Sequence, residues 1–274
     1  MSVPRPIEIS GLGLFSARPA RLEIRPSDSG GIRFVDASGR MGTPATIAHQ
    51  RTSQGPLGGR NTVLGDERFS VATVEHCMSA LAGLNIWHAE IAVDGGELPI
   101  LDGSASGFAD ALRGVRSAPG NPIRLRSSVR VEHASSGAWI EASPSDRILY
   151  RYELRYPAGS GLPDQDYAWD GSAASYSGQI APARTFSLEA EALAMRAAGL
   201  FPHLTARDML VIAPDGRAID NAFRFPDEPA RHKLLDLIGD LALLGGPLIA
   251  DVTAHKSSHA LTHELCRRIA GARP

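Results

Sequence analysis

The sequence predicts a mixed fold of strands and helices, divided into two halves that each contain both. Strand-like alternation opens each half, at residues 21–24 in the first and 129–133 in the second. The clearest helical spacing lies in residues 230–246, where apolar side chains recur at intervals of three and four. Residues 117–121 are polar and rich in residues that break helices and strands. We therefore place a domain boundary there.

Composition narrows the class of protein. The chain has 274 residues, 43% of them hydrophobic, which is enough for one large or two ordinary domains. Its formal net charge is -2 and it has no lysine-rich or arginine-rich block, so we expect neither nucleic acid nor an anionic membrane as a partner. Two cysteines, Cys77 and Cys266, do not indicate a disulfide framework.

The sequence has no apolar N-terminal segment of the kind found in signal peptides. It also has no apolar run near the ~18 residues that a membrane span needs. We therefore expect a cytoplasmic protein without integral membrane association, and we expect it to be a monomer.

The first half is predicted to begin with short strands and turns. The predicted strands are residues 7–9, 21–24 and 31–35, with a tight glycine turn at 11–15 and a glycine-rich loop at 55–60. Residues 71–84 have apolar side chains at the i, i+3, i+4 and i+7 positions of a helix, and Thr73 is suited to cap it. A strand at 87–93 and a helix at 106–115 follow.

The second half is predicted to restart with hairpin-like strands. These are residues 123–126, 129–133, 138–142 and 148–156, and a loop-rich segment at 157–178 follows them. A predicted helix at 188–198 ends at Gly199, and a strand at 209–212 comes next. The helix at 230–246, a strand at 248–253 and a final helix at 258–270 complete this half.

The helix at 230–246 carries a polar stripe. His232, Asp236 and Asp240 are spaced i, i+4 and i+8, so they share one face and lie about 6 Å apart along the axis. The apolar residues of the opposite face are Leu234, Leu237, Ile238, Leu241 and Leu244. A solvated surface is the plain interpretation of such a stripe. Burying these carboxylates beside a histidine would instead require a metal or a hydrogen-bond partner.

Two further segments supply the rest of a reactive site. Glu75 and His76 are adjacent in the predicted first-half helix, and His259 follows Lys-Ser-Ser at 256–258. Two imidazoles and one carboxylate form a zinc set of three protein ligands with an open position for water. A carboxylate beside a ligand is where a general base would lie. A histidine held cationic by a carboxylate, as His259 by Asp240, can stabilise an oxyanion and protonate a leaving amine.

Spacing alone leaves alternatives open. His255, His259 and His263 recur at intervals of four and form a competing metal set. However, the two serines at 257–258 favour a helix start that leaves His255 outside the helix. A set of two histidines and one carboxylate also holds iron, so the sequence does not separate Zn2+ from Fe2+.

Six motifs together resemble one enzyme family. They are Thr-Val-Glu-His at 73–76, Glu-Leu-Pro-Ile-Leu-Asp-Gly-Ser at 97–104, Ala-Arg-Thr-Phe at 183–186, Arg-Phe-Pro-Asp-Glu at 224–228, Arg-His-Lys-Leu-Leu-Asp-Leu-Ile-Gly-Asp at 231–240 and Lys-Ser-Ser-His-Ala-Leu at 256–261. In this order they resemble the motifs of the UDP-3-O-acyl-N-acetylglucosamine deacetylases. The motifs cover most of the chain, and their combination is specific to that family.

The resemblance implies an α+β fold of two similar domains, each with helices packed on a β-sheet and with the active site at the domain interface. The N-terminal domain would span residues 1–118 and the C-terminal domain residues 123–274, with a substrate-channel insert near 187–215. The implied reaction is zinc-dependent hydrolysis that removes the N-acetyl group from an acylated sugar nucleotide and releases acetate. In the family this reaction belongs to lipid A biosynthesis.

The resemblance also implies a role for each residue of the metal site. Zinc would be held by His76, His232 and Asp236. Glu75 would be the base that activates the attacking water.

The remaining implied roles concern the acid and the substrate. His259 would be the cationic acid, oriented by Asp240. Thr185 would help to hold the oxyanion, and Lys233, next to a zinc ligand, would contact the substrate. Phe186 would border the substrate channel.

The sequence departs from the family where substrate is bound. Phe15 stands where the family usually has a histidine, and residues 201–205 replace a Gly-Gly-Ser-like stretch. Leu188, Phe201 and His203 are candidate substrate contacts, although a structural or exposed role is the plainer interpretation of His203. A paralogue that deacetylates another N-acetylated sugar or acyl conjugate is therefore an alternative function. A non-catalytic metal-binding homologue is a second, which the retained general base and acid argue against.

Overall fold

The computed structural model describes residues 6–52 and 59–272. Residues 55–58 of the predicted glycine-rich loop lie outside the described residues. Two large β-sheets, one from each half of the chain, share the fold with helices that pack between and against them. Among the described residues, no helix combines the length and the apolar character needed to cross a membrane.

The first half alternates strands with two helices. Its elements are β1 (Ile7–Leu12), β2 (Pro19–Pro26), β3 (Ile32–Asp36), β4 (Gly42–Pro44), a 3-10 turn (Ile47–His49), β5 (Gln50–Arg51), β6 (Val63–Gly65), β7 (Ser70–Ala72), α1 (Glu75–Gly83), β8 (Ala89–Asp94) and α2 (Ser106–Ala111). Five of these strands form a sheet in the order β1-β2-β8-β3-β4, while β5, β6 and β7 form a separate small sheet. Neighbours in the large sheet are antiparallel, except that β3 and β8 are parallel.

The second half has more elements around a sheet of the same kind. They are β9 (Ile123–Arg124), β10 (Val129–His133), β11 (Ala138–Pro144), β12 (Leu149–Leu154), β13 (Gln165–Trp169), α3 (Ala173–Ser175) with a π turn (Tyr176–Ile180), β14 (Phe186–Leu188), α4 (Glu189–Ala197), β15 (Leu210–Ile212), α5 (Glu228–Leu241) with a 3-10 turn (Ala242–Leu244), β16 (Leu248–His255) and α6 (His259–Gly271). The large sheet has the order β10-β11-β16-β12-β13, with β9 also beside β16.

The two large sheets have the same topology. Apart from β9, each large sheet takes its first four strands in chain order, and a fifth strand, β8 or β16, then inserts between the second and the third. The fifth strand is antiparallel to the second and parallel to the third in both sheets. One helix precedes it, α1 or α5, and another follows it, α2 or α6. The predicted boundary at residues 117–121 falls between the two units, and the division into domains there stays a prediction.

Helices α1 and α5 pack against each other and join the halves. Gly239 of α5 faces the start of α1, and a Cβ at this position would lie 2.1 Å from the carbonyl oxygen of Glu75. A glycine therefore permits the approach of the two backbones. Helix α5 also packs on β12 and β13, so it is covered on both sides. The surface interpretation of its polar stripe is therefore wrong, because His232, Asp236 and Asp240 are only 1%, 6% and 1% exposed.

The start of α1 differs from the prediction. Strand β7 occupies residues 70–72, so the helix begins only at Glu75. Thr73 does not cap it, because its backbone is at φ 59° and its hydroxyl donates to Glu97 at 3.2 Å. The predicted glycine turn at 11–15 also starts later, since β1 pairs with β2 as far as Leu12.

The middle of the second half is more regular than predicted. Residues 157–178, predicted as loop, contain β13 and the helical turns that follow it. Residues 186–188 form β14, which runs parallel to β15, so Leu188 ends a strand where a helix start was predicted. Its side chain packs on a small apolar cluster of Leu162, Leu210 and Ile212. Burial on this cluster favours the extended backbone.

Candidate active site

Three predicted ligands meet where α1 crosses α5. His76 is the second residue of α1, and His232 and Asp236 are one turn apart on α5. The Nε2 atoms of His76 and His232 each lie 3.5 Å from Oδ1 of Asp236. One ligand atom from each of the three side chains lies within 4.8 Å of the other two, and all three residues are buried. The structure thus brings together residues that are separated by 160 positions in the sequence.

The His232 ring has a defined tautomer. Its Nδ1 lies 3.1 Å from the carbonyl oxygen of Ala183, which can only accept, so Nδ1 carries the proton. Burial lowers the pKa of His232 to about 3, which keeps the ring neutral at pH 7. The Nε2 lone pair is therefore free to bind a cation beside the Asp236 carboxylate.

The donor set fits a divalent metal ion. Two imidazole nitrogens and a carboxylate oxygen converge in a buried space. Lys233 neutralises the outer oxygen of Asp236 at 3.0 Å, but the inner oxygen faces the two rings. Such a cluster is costly to bury without a cation at its centre. Two histidines and one carboxylate suit both Zn2+ and Fe2+.

Glu75 lies beside this centre as the first residue of α1. Its side chain is buried, and burial raises its pKa above the usual value against the opposing effect of His259 and His76. The backbone N–H of Thr62 donates to Oε2 at 3.0 Å, which fixes one oxygen of the carboxylate. A carboxylate with a raised pKa next to a metal site is suited to accept a proton from water.

His259 and Asp240 form the predicted ion pair. Nδ1 of His259 donates to Oδ2 of Asp240 at 2.7 Å, and both side chains are buried. Burial lowers the pKa of His259, but the Asp240 carboxylate outweighs it and raises the pKa to about 9. The imidazole is therefore cationic at pH 7 and can act as an acid.

Sequence reasoning did not find two partners of Asp240, because it did not single out Thr62 and it assigned His263 to a competing metal set. The Thr62 hydroxyl donates to Oδ1 of Asp240 at 2.6 Å, and Nε2 of His263 lies 3.2 Å from the same oxygen. Thr62 is 178 positions away from Asp240, and no sequence signal connects the two. His263 could have been found, since it follows His259 by one helical turn on α6.

The competing metal set of His255, His259 and His263 is wrong. His255 lies in β16 and pairs with Glu153 at 2.8 Å, while its ring stacks on Trp139. His259 and His263 are both bound to Asp240 instead. The helix starts at His259, as the two serines before it suggested.

A cavity of about 660 Å³ opens beside the site. Thr185, Lys233, Phe186 and His259 line it, together with a largely apolar wall. That wall includes Leu193, Met195, Phe201, Leu204, Met209, Val211 and Ile219. The cavity therefore combines a reactive polar end with a long apolar surface.

Two of the four predicted substrate contacts are not at this cavity. Phe186 and Phe201 line it, whereas Leu188 and His203 are not among the described residues that do. Leu188 faces the apolar cluster beneath β14 and β15. The ring nitrogens of His203 are buried without a hydrogen-bond partner among the described residues. Leu188 thus has a packing position outside the cavity, and His203 is not among the described residues that line it.

Thr185 is held from the other half of the chain. Its backbone N–H donates to the carbonyl oxygen of Gly103 at 2.7 Å. Next to Gly103, Asp102 forms an ion pair with Arg224 at 2.7 Å. Gly103 has φ 81°, a conformation that glycine adopts without strain. The predicted oxyanion residue is therefore positioned by contacts between the halves.

A buried set of two histidines and a carboxylate, flanked by a carboxylate base and a cationic histidine, defines the class of metal-dependent hydrolase sites. The sequence model of one family, described as UDP-3-O-acyl N-acetylglycosamine deacetylase, matches residues 1–271. The chain belongs to this family.

Curated relatives cover nearly the whole chain. A UDP-3-O-acyl-N-acetylglucosamine deacetylase of Oleidesulfovibrio alaskensis is 35% identical over 98% of this chain and 88% of its own length. The protein of that name from Myxococcus xanthus is 33% identical over 95% of this chain and 83% of its own. A third protein of that name, from Chromobacterium violaceum, is 34% identical over 96% of this chain and 87% of its own length.

Proposed function

We propose that this chain is a metal-dependent N-deacetylase that removes the acetyl group from UDP-3-O-acyl-N-acetylglucosamine, in lipid A biosynthesis. The names of its full-length relatives support this substrate. The observation that carries the proposal is the convergence of the metal ligands, a buried carboxylate and a histidine–carboxylate pair beside one cavity. Amide hydrolysis needs a nucleophile, oxyanion stabilisation and a proton for the amine, and this set offers each once.

Zinc is the proposed ion, held by His76, His232 and Asp236. Fe2+ suits the same donors and is the alternative ion. Bound there, the ion would supply Lewis acidity at the amide oxygen and make water a nucleophile near neutral pH. Zinc and iron are distinguished by elemental analysis of protein expressed without added metal.

Glu75 is the proposed general base. The Thr62 amide holds its Oε2, which leaves Oε1 to accept the proton of the attacking water. The raised pKa of Glu75 increases its basicity towards that proton. Thr185 lines the cavity with its hydroxyl available to donate to the oxyanion.

His259 is the proposed general acid. Asp240 holds its Nδ1, so Nε2 remains to deliver a proton to the departing amine of the sugar. With a pKa of about 9, the ring carries this proton throughout the neutral range. Once neutral, it recovers its charge from water, because Asp240 favours the cation.

The acyl chain is proposed to occupy the apolar part of the cavity. Its volume of about 660 Å³ lies within the range of roughly 300–1,000 Å³ seen for ligand pockets. Phe186 and Phe201 would contact the chain. Arg60, Lys233 and Lys256 also line the cavity, and their charge suits the sugar nucleotide's phosphates.

A second candidate keeps the chemistry and changes the acyl group or the sugar. Phe15 and Phe201, from opposite halves, both line the cavity, and their ring centroids are 5.6 Å apart. This aromatic pair forms part of the apolar wall of the cavity. It favours a paralogue whose preferred substrate carries a different chain from that of the relatives.

The test is an acetate-release assay on purified protein of known zinc content. Substrates are UDP-3-O-acyl-N-acetylglucosamine of several acyl lengths and simple N-acetylglucosamine compounds. We expect turnover of the acylated nucleotide with a clear optimum in chain length. Acetate only from other N-acetylated compounds would establish the paralogue, and a metal-loaded protein that released none would contradict catalysis.

A further inference from the structure

Thr62 forms hydrogen bonds with both the proposed base, Glu75, and the partner of the proposed acid, Asp240. It precedes β6 in the small sheet of the first half and is 1% exposed. Its backbone N–H donates to Oε2 of Glu75 at 3.0 Å, and its hydroxyl donates to Oδ1 of Asp240 at 2.6 Å. One residue therefore contacts the base through its main chain and the partner of the acid through its side chain.

The hydroxyl completes the hydrogen bonding of Asp240. Oδ2 of this carboxylate holds His259 at 2.7 Å, while Oδ1 receives Thr62 and His263 at 2.6 and 3.2 Å. Thr62 Oγ1 also lies 3.1 Å from Nε2 of His263. A hydroxyl has one proton, and the shortest contact shows that Thr62 donates this proton to Asp240. The hydroxyl oxygen of Thr62 can therefore only accept from His263.

Removing the hydroxyl would free one side of the carboxylate. Oδ1 would then keep only the longer contact of 3.2 Å to His263. A carboxylate held less firmly at one oxygen can rotate about its Cβ–Cγ bond, and the angle of the His259 ring follows it. Reaction rates are sensitive to such displacements, because a reacting group must lie in line with its target. The bond to a charged acceptor is also among the stronger hydrogen bonds in proteins.

We propose that Thr62 is a positioning residue that sets the relative placement of the base Glu75 and the acid pair His259–Asp240 across the seam between the halves. Its hydrogen bonds go to Glu75, Asp240 and His263, none of which is a proposed metal ligand, so it acts through the groups that it holds. This inference rests on the proposed function, since it presupposes the roles given to Glu75 and His259.

The test compares three variants of the metal-loaded protein. Thr62→Val keeps the shape and the backbone N–H but removes the hydroxyl, and it should lower kcat about tenfold with KM and zinc content unchanged. Thr62→Ser restores the hydroxyl and should recover most of that loss. Thr43→Val is the matched control, because Thr43 is also buried but its hydroxyl donates to the backbone of Pro44 and not to a group of the site, and it should leave kcat as in the wild type.

A double-mutant cycle separates positioning from general destabilisation. If Thr62 acts through Asp240, adding Thr62→Val to Asp240→Asn should cost little beyond Asp240→Asn alone. Additive losses, an unchanged kcat in Thr62→Val, or an equal loss in Thr62→Ser would overturn the proposal. Should Thr62→Val not fold, Thr62→Cys replaces it with the same expectations, since a thiol is a weak donor.

A readout that does not use activity keeps this proposal distinct from the proposed function. In protein labelled with 15N-histidine, the Nδ1 proton of His259 should resonate far downfield because it is bound to a carboxylate. Thr62→Val should shift or broaden that signal, and Thr43→Val should not. A wild-type protein without deacetylase activity would contradict the proposed function, whereas an unmoved His259 signal would contradict the role of Thr62.

Discussion

The two halves have the same sheet topology and use it differently. Each places a helix before its central strand, α1 in the first half and α5 in the second. Helix α1 contributes adjacent residues from its first turn, Glu75 and His76. Helix α5 contributes a stripe along its length, His232, Asp236 and Asp240. The repeated topology supplies two helices that meet, while the chemistry depends on where along each helix the polar residues lie.

The segments that precede α1 and α5 in the chain also differ in what they contribute to the site. In the first half the chain between β4 and α1 forms the small sheet that carries Thr62. In the second half the chain between β13 and α5 carries Thr185, Phe186 and Phe201 and walls the cavity. One segment therefore carries a residue that holds Glu75 and Asp240, and the other provides much of the cavity wall.

Breaking the contact between α1 and α5 should have the largest effect. Gly239→Ala places a methyl group 2.1 Å from the carbonyl oxygen of Glu75, so α1 must move. A displacement of about 1 Å can cost around 100-fold in rate, and overpacking typically costs about 1–3 kcal/mol of stability. We expect both a large loss of kcat and a Tm that falls by several degrees, measured by acetate release and thermal unfolding.

Gly178→Ala is the control for that prediction. A Cβ at Gly178 meets nothing within 4 Å, so the added methyl group should leave activity and Tm unchanged. If Gly239→Ala behaved like Gly178→Ala, the tight seam between the halves would not matter to catalysis.

Removing the charge of Asp240 should have the next largest effect, and it depends on pH. The His259 acid works when protonated, so kcat/KM of the wild type should fall as pH rises through about 9. Asp240→Asn removes the group that raises this pKa while burial still lowers it, so the alkaline fall should move to neutral pH or below. At pH 8 we expect a loss of about tenfold or more.

The same ion pair affects stability with a fixed sign. The pKa of His259 is raised from 6.5 to about 9 by folding, so its contribution to stability is full below pH 6.5 and is lost as pH rises through 9. Asp240→Asn should flatten this part of the curve of unfolding free energy against pH. If Asp240→Asn changed neither the alkaline fall of kcat/KM nor the pH dependence of the unfolding free energy, Asp240 would not set the charge of His259.

Changing the cavity wall should have the smallest effect. It should alter substrate binding without altering the reaction, unlike changes near Thr62. Phe201→Ala removes one ring of the Phe15–Phe201 pair and leaves the reactive groups in place. We expect KM for long acyl chains to rise several-fold, with kcat preserved, because each acyl methylene that loses its apolar contact costs about 0.8 kcal/mol. A fall in kcat with every acyl length would place Phe201 in the chemistry instead.

The sequence was informative about the site because its chemistry is local on each helix. The spacing of His232, Asp236 and Asp240 follows from helical periodicity, and the pair Glu75–His76 is contiguous. The polar stripe was ambiguous by itself, because burial on both sides of α5 depends on α1 from the other half. Family motifs, more than periodicity, connected the two segments.

Long-range contacts explain what the sequence did not reveal. Thr62 lies 178 positions from Asp240 and carries no motif, so only the fold brings them together. The shared topology of the sheets was hidden because similar strands need only similar alternation, which many sequences satisfy. Leu188 was predicted to begin the helix at 188–198, whereas packing on Leu210 and Ile212 makes it the end of a strand.

The central claim is that the two halves jointly build one metal site and that the first half also supplies the base. The most direct test measures zinc content and turnover together in His76→Ala, Asp236→Asn and Glu75→Gln. We predict that the first two lose both zinc and turnover, because each removes a ligand from a different half. Glu75→Gln should keep zinc and lose about 100-fold or more in kcat. Full zinc occupancy in His76→Ala, or normal turnover in Glu75→Gln, would contradict the account.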